Sequence, residues 1–310
     1  MAGIILRSTD FKAVVEPVLN GVFDGLFDQR VREYATVIDE EDGIKRAYHE
    51  EAYLFGFPMA PQQPDGTPIT YAQGGQLFVN RIPYSIYGLA FALTKVLVED
   101  GDHIRVGKTF SEHLAQALDE TLETVPVNML NRGFNSAYLG GDGQPLFSNS
   151  HLSADGAVAG APQRTNILTT PAALSQTSLE QMMIQIRLAA DPQGKKIRVV
   201  PEKLVVHPSN EQQAEVLLNS VLRTGTNNND LNPIKSLGQL KVASTLSRLT
   251  SPTAWFVKTN LRKGPRVMWR RKVEKRMEGD FETNSIRYAA DMRFGVGWLE
   301  WRTFWGTPGQ

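Results

Sequence analysis

The chain has 310 residues, 41% hydrophobic and 21% charged, and contains no cysteine. These proportions exclude wholesale disorder, and the length suffices for one large domain or two ordinary ones burying about three quarters of the unfolded surface. Thirty-three basic residues cancel thirty-three acidic ones, so no global field draws the chain to nucleic acid or an anionic membrane, and the missing thiols exclude disulfides and cysteine metal sites.

Residues 1–35 are partly apolar, but Asp10, Glu16, Asp24 and Asp28 interrupt them, which disqualifies a signal-peptide core. No uncharged apolar run approaches the roughly 20 residues a spanning helix needs. After a plausible Ser8-Thr9-Asp10 cap, apolar residues recur at three- and four-residue steps from Phe11 to Tyr34. That spacing predicts an amphipathic helix, with Pro17 at a start or a kink.

Residues 44–83 read differently. Tyr53, Phe55 and Phe57 alternate, as do Ile69 and Tyr71 and then Leu77 and Val79, around a turn cluster from Pro58 to Pro68. The pattern predicts a long β-hairpin with an irregular tip. A two-stranded hairpin is marginal in water, so this one must lie on another surface. An apolar stretch, residues 84–98, follows. From His103 to Arg132 the spacing of Phe110, Leu114, Leu118, Leu122, Val125 and Met129 predicts one helix of about thirty residues, roughly 45 Å long, that Pro126 kinks or splits.

Between Leu130 and His151 the chain reads LNRGFNSAYLGGDGQPLFSNSH. Gly133 stops the helix, Gly140, Gly141 and Gly143 permit positive φ, and Asp142-Gly143 forms a turn. Residues 154–171 should be irregular. Beyond them, Thr177-x-x-Glu180 and Ser209-x-x-Gln212 read as helix-opening boxes on either side of a buried strand, Lys203–His207. Thr224–Asn232 is a polar loop. Strand candidates fill the last third: Gln239–Ser244, Ala254–Thr259, Pro265–Met277, Ile286–Phe294 and Val296–Trp305.

The order helix, "GF", "GDGQPLF", "S-x-S-H" in residues 130–151 resembles the major capsid proteins of tailed phages, and within them the Mu-like major head subunits. The order helix, "DPQGKKI", "PEKLVVHPS", helix resembles their axial domain. The resemblance implies an α+β fold: an N-terminal arm (1–43), an extended β-hairpin loop (44–83), a peripheral domain with a long spine helix (84–133 and 262–310) and an axial domain (134–261). It implies a virion shell protein, assembled in the host cytoplasm, that forms hexamers and pentamers. The shell would enclose packaged double-stranded DNA held without sequence specificity, with separate scaffolding, portal and decoration proteins as further partners and no membrane. Any scaffold is expected as a separate protein, because no long charged helical segment precedes the arm. Subunit contacts are expected from the hairpin residues Tyr53, Phe55 and Phe57 and from Arg270 and Lys272.

Catalytic signatures are missing. There is no H-E-x-x-H, G-x-S-x-G, P-loop or strand-linked G-x-G-x-x-G, and the five histidines are scattered. Asp142 and His151 can be drawn as an acid–base pair, although a turn role explains the Asp better. No enzyme activity, cofactor or metal is expected. The alternative is a soluble nucleic-acid-binding protein using the basic segment Arg262–Arg276, RKGPRVMWRRKVEKR, with Trp269 stacking on a base. The same alternation suits a strand with one buried and one charged face.

Overall fold

The computed structural model describes residues 8–27, 30–42, 46–94, 97, 103–223, 230–237, 240, 242–280 and 285–309. The first helix, α1 (Ser8–Phe27), carries Pro17 in its interior and buries Val15, Leu19, Phe23 and Phe27. The expected stripe ends there: Val31 is exposed, and Tyr34 sits in a 3-10 turn. The side chains of residues 8–14, including the expected cap, lie outside the described residues.

The partner of α1 is α2 (His103–Asn131), a 29-residue helix that Pro126 does not split. Leu114, Leu118 and Leu122 of α2 are fully buried in the same core as α1. A polar contact fixes the pair in register, the Ser111 hydroxyl donating to the Leu19 carbonyl at 2.9 Å. At its end, the Gly133 amide donates to the Leu130 carbonyl, and the Phe147 ring occupies the space a Cβ at 133 would need.

Three sheets follow. Strand β1 (Asp39–Asp42) runs parallel to β8 (Arg266–Asp280). Strand β8 pairs antiparallel with β9 (Ser285–Gly297), and β4 (Ser85–Thr94) closes the far edge antiparallel to β9. This sheet and both helices share one core, in which Tyr288, Met292, Phe294 and Trp269 are buried. The second sheet has the order β10 (Phe304–Thr307), β7 (Trp255–Thr259), β5 (Pro201–Val206), β6 (Val242–Thr245). It is covered by α3 (Gln176–Arg187), α4 (Glu211–Asn219) and the short α5 (Pro233–Leu237), around Trp255, Trp305, Leu179 and Met182. Strands β2 (Tyr48–Phe55) and β3 (Gly75–Pro83) form a separate two-stranded hairpin.

Several expectations are corrected. Helix α3 opens at Ser175, whose hydroxyl accepts from the Ser178 amide while Ser178 answers the Ser175 amide, so the box lies two residues before Thr177-x-x-Glu180. Helix α4 has no side-chain cap; the turn before it is capped by His207, which accepts from the Ser209 amide. Residues 285–297 form one strand rather than two, and a 3-10 turn at Trp301–Thr303 precedes β10. Of the junction glycines only Gly143 has positive φ, +71°. Gly141 is required for space instead, since a Cβ there would lie 2.8 Å from Asn80. Ile69 and Tyr71 belong to no strand and are exposed. Residues 224–229 of the expected polar loop, and 239 and 241 of the expected strand before Ser244, lie outside the described residues.

Candidate assembly surfaces

The hairpin divides into two parts. Its root is tied to the C-terminal third of the chain. Glu51 binds Lys263 at 2.5 Å and also Arg266, a guanidinium only 7% exposed that reaches Glu41 at 2.9 Å as well. Burial would raise the Glu51 carboxyl, but hydrogen bonds and charge from Lys263 and Arg266 outweigh it and hold the group below its ordinary value. The Tyr53 hydroxyl donates to Glu300 at 2.6 Å, and its ring stacks on Phe78. Burial and the Glu300 charge push that phenol above its usual range. Arg302, itself fully buried, donates to both Glu300 and the Tyr53 oxygen while lying over the Trp301 ring at 3.9 Å.

The tip is the opposite case. Every residue from Gly56 to Gly74 is exposed. Phe57, Met59, Ile69 and Tyr71 present 59%, 78%, 71% and 94% of their surface to solvent. Four apolar side chains so exposed on one segment form the kind of feature that marks an interaction site. Among the sequence-predicted contact residues, Tyr53 lies in the root, Phe55 is half-buried at the end of β2, and Phe57 is in the exposed tip.

The basic segment is largely occupied. Arg266, Val267, Met268 and Trp269 are all buried, and exposure alternates only from Arg271 to Met277. Arg271 pairs with Asp291 and with Glu274 (3.1 Å), Arg276 reaches Asp291 at 3.7 Å, and Lys275 pairs with Asp24. Trp269 donates its indole N–H to Glu40 at 2.8 Å and is 6% exposed. A buried indole with a committed N–H has no face for a base, so nucleic-acid recognition through this segment is not supported. Arg270 is half-buried and Lys272 exposed, and no ion pair is found for either among the described residues.

The junction contains an arrangement the sequence only hinted at. His151 Nδ1 lies 2.6 Å from Asp142 Oδ2, its Nε2 lies 3.2 Å from Asn166 Oδ1, and the imidazole stacks flat on Trp301 at 4.1 Å. Asn166 donates to the carbonyls of Leu146, Trp301 and Phe304, which fixes its Oδ1 as the acceptor and makes His151 Nε2 a donor. Asp142 also performs the turn role, accepting from the Gln144 amide at 3.2 Å. Both side chains of the pair are buried, 0% and 3% exposed, so the cluster fastens loops together and is closed to any substrate.

A second buried acid lies between the arm and α2. Glu123 accepts the amides of Glu33 and Tyr34 at 2.9 and 3.1 Å. Its burial nevertheless raises the carboxyl above the ordinary value. No group of three or more His, Asp or Glu suited to a metal is found among the described residues. Among them, no helix is long and apolar enough to cross a membrane.

A long helix braced on a mixed four-stranded sheet, a second sheet flanked by helices, and a projecting hairpin define the fold of tailed-phage capsid subunits. The chain belongs to the phage capsid protein family, which it matches over residues 85–306. The capsid protein of the cyanophage P-SCSP1u superposes with a TM-score of 0.56 at 11% identity, covering 91% of this chain and 90% of that one. The procapsid protein of bacteriophage JBD30 gives 0.52 at 13% identity over 98% and 77%. A chain from the structure of Mycobacterium phage Adephagia gives 0.52 at 10% identity over 91% of each. No curated protein is significantly similar in sequence. The chain is a structural protein, the shell subunit of a phage capsid.

Proposed function

We propose that this subunit self-assembles through hexamers and pentamers into a closed icosahedral shell around double-stranded DNA, without sequence reading and without catalysis. Assembly takes place in the host cytoplasm, with scaffolding and portal functions supplied by other proteins. The observation that carries the reading is the hairpin tip, whose four apolar side chains are left largely exposed by the described residues of their own subunit. Solved relatives that share the fold are capsids and a procapsid. Membership of the Mu-like branch rests on the sequence of residues 130–151.

Within that reading, the arm (1–43), extended loop (44–83), peripheral part (84–133 with 262–310) and axial part (134–261) have distinct tasks. The chain has two apolar cores, one around α1, α2 and β8–β9 that also takes in Leu146, Phe147, Val205 and Phe256 of the axial part, and one on the helix-covered face of β5–β7. Strand β10 crosses between them to complete the second sheet. Tyr53, Phe55 and Phe57 belong to the contact-making hairpin, and Arg270 and Lys272 supply cations for acidic groups on neighbouring copies. Negative-stain microscopy and analytical ultracentrifugation of the expressed protein, alone and with co-expressed scaffold, should show capsomers or shells. A strict monomer under all those conditions overturns the proposal. Replacing Arg270 and Lys272 by Ser should weaken assembly in the absence of nucleic acid. If salt-dependent DNA affinity falls instead and assembly is untouched, the two cations serve DNA.

A further inference from the structure

Strand β8 outruns its neighbour. Strand β1 covers its outer edge only from Arg266 to Trp269, and beyond that no strand among the described residues pairs with the edge. Residues 270–280 therefore offer backbone N–H and C=O groups along an edge that a further strand can join. Their side chains alternate. Lys272, Glu274, Arg276 and Glu278 are exposed, whereas Val273 and Lys275 are half-buried and Met277 is buried. Lys275 is paired with Asp24 of its own subunit. The exposed row is less committed. Glu274 and Arg276 keep 61% and 66% of their side chains in solvent while reaching Arg271 and Asp291, and no ion pair is found for Lys272 or Glu278 among the described residues.

Laid antiparallel on a second copy of itself, this segment matches in one register. With Lys275 opposite Lys275, Glu274 of each copy faces Arg276 of the other, and Met277 faces Val273. Glu278 falls opposite Arg271 and Lys272, where β8 carries the extra residue of a bulge. A shift of two residues sets Glu274 against Glu274 in one direction and Arg276 against Arg276 in the other. Opposite charges across a ladder stabilise and like charges repel, so the charges that guard this edge against other strands admit its own copy. We propose that residues 270–280 of two copies pair across a two-fold axis, joining their four-stranded sheets into one. This rests on the shell-subunit reading above and supplies Lys272 with its acid, Glu278. The contact is isologous, so it links copies strictly in pairs.

The chain has no cysteine of its own, so one introduced residue tests the register. Lys275→Cys lies opposite itself across the axis, about 5 Å between Cα atoms, and oxidised particles should give dimers and nothing larger on non-reducing gels. Glu278→Cys on the same edge sits roughly 20 Å from its counterpart at strand rise and should give none. Charge exchange tests the pairing independently, and decides alone if Lys275→Cys does not fold. Arg276→Glu should leave the melting curve of the subunit unchanged and block shells. Adding Glu274→Arg should restore them, since Asp291 opposite position 274 keeps a cation beside it. Normal shells from Arg276→Glu, a double variant as defective as the single one, or particles in which Lys275→Cys gives no more dimer than Glu278→Cys overturn this inference and leave the shell reading standing. If the unaltered protein forms no particle, with or without scaffold, both fall.

Discussion

The root and the tip of the hairpin belong to one element and obey opposite rules. In the root, Glu51, Tyr53 and Asn80 are each bonded to groups some two hundred residues away, Asn80 donating to the Trp298 carbonyl. In the tip, Gln63 and Thr67 close locally on the Thr67 and Pro64 carbonyls, the one long-range bond among the described residues is from Lys195 to the Phe57 carbonyl at its base, and the apolar groups face water. The difference separates two free energies. Root contacts stabilise the subunit and set the direction in which the hairpin leaves it; under the proposed function, the apolar tip contributes its share only when a neighbour arrives.

The largest effect that would sharpen this contrast is expected from Glu51→Ala. Among the described residues it leaves the buried Arg266 with the exposed Glu41 as its one acidic partner and should cost about 2 kcal/mol of subunit stability in denaturant unfolding. A change indistinguishable from zero would mean that the root is not integral to the fold. Tyr53→Phe removes the hydroxyl bonded to Glu300 at 2.6 Å and should cost about 1.5 kcal/mol, typical of a hydrogen bond to a charged group.

A smaller, pH-dependent effect follows from Glu51. Its folded carboxyl titrates below the ordinary value of 4.5, so the folded state holds fewer protons than the unfolded one between the two values. The stabilisation is complete above pH 4.5 and is lost as pH falls through the lowered folded value. The stability gap between wild type and Glu51→Gln should therefore shrink in acid, and a gap that stays constant from pH 7 to strongly acidic conditions refutes the assignment. Glu123 behaves in reverse: its carboxyl is raised by burial, so ionising it at higher pH works against the arm–helix contact.

The smallest expected change in subunit stability comes from the tip. Trimming Gln62–Thr67 to a tight Gly-containing turn should move the unfolding free energy by less than about 0.5 kcal/mol, because loop closure costs vary slowly with length. Shell formation should nevertheless fail. Normal shells from the trimmed protein, or unfolding of its monomer, would erase the distinction between root and tip.

How much of this was legible depends on the range of the interaction. Helix α2 was readable to within a residue at its C-terminal end, because thirty residues of apolar spacing average out local ambiguity. The start of α3 was not, since Ser175-x-x-Ser178 lacks the Glu or Gln of the usual box, which Thr177-x-x-Glu180 has, and the Ser178 hydroxyl takes that role in the fold. Gly295 fell between two strand candidates and Gly297 just inside the second, although both belong to β9. They are glycines because Pro83 and Ile82 of the hairpin root press against that backbone, a Cβ at 297 falling 2.4 Å from Ile82. The acids that neutralise the basic strand come from Asp24, Glu41, Glu51 and Asp291, and no sequence pattern announces pairings over such separations. For the same reason Asp142 was readable as a turn residue, while its bond to a buried His151 required Asn166 and Trp301 to be brought alongside.

The strand pairing also sets a timetable for synthesis. Residues 39–42 wait for 266–269, strand β4 waits for 285–294, and the second sheet closes only with 304–307. A ribosome therefore extrudes residues 1–265 before the first sheet can begin to close on β8, while the apolar tip emerges early. Nascent chains arrested before residue 265 should accordingly remain protease-sensitive along their length, and a resistant N-terminal fragment would show that the timetable is set by something other than these pairings.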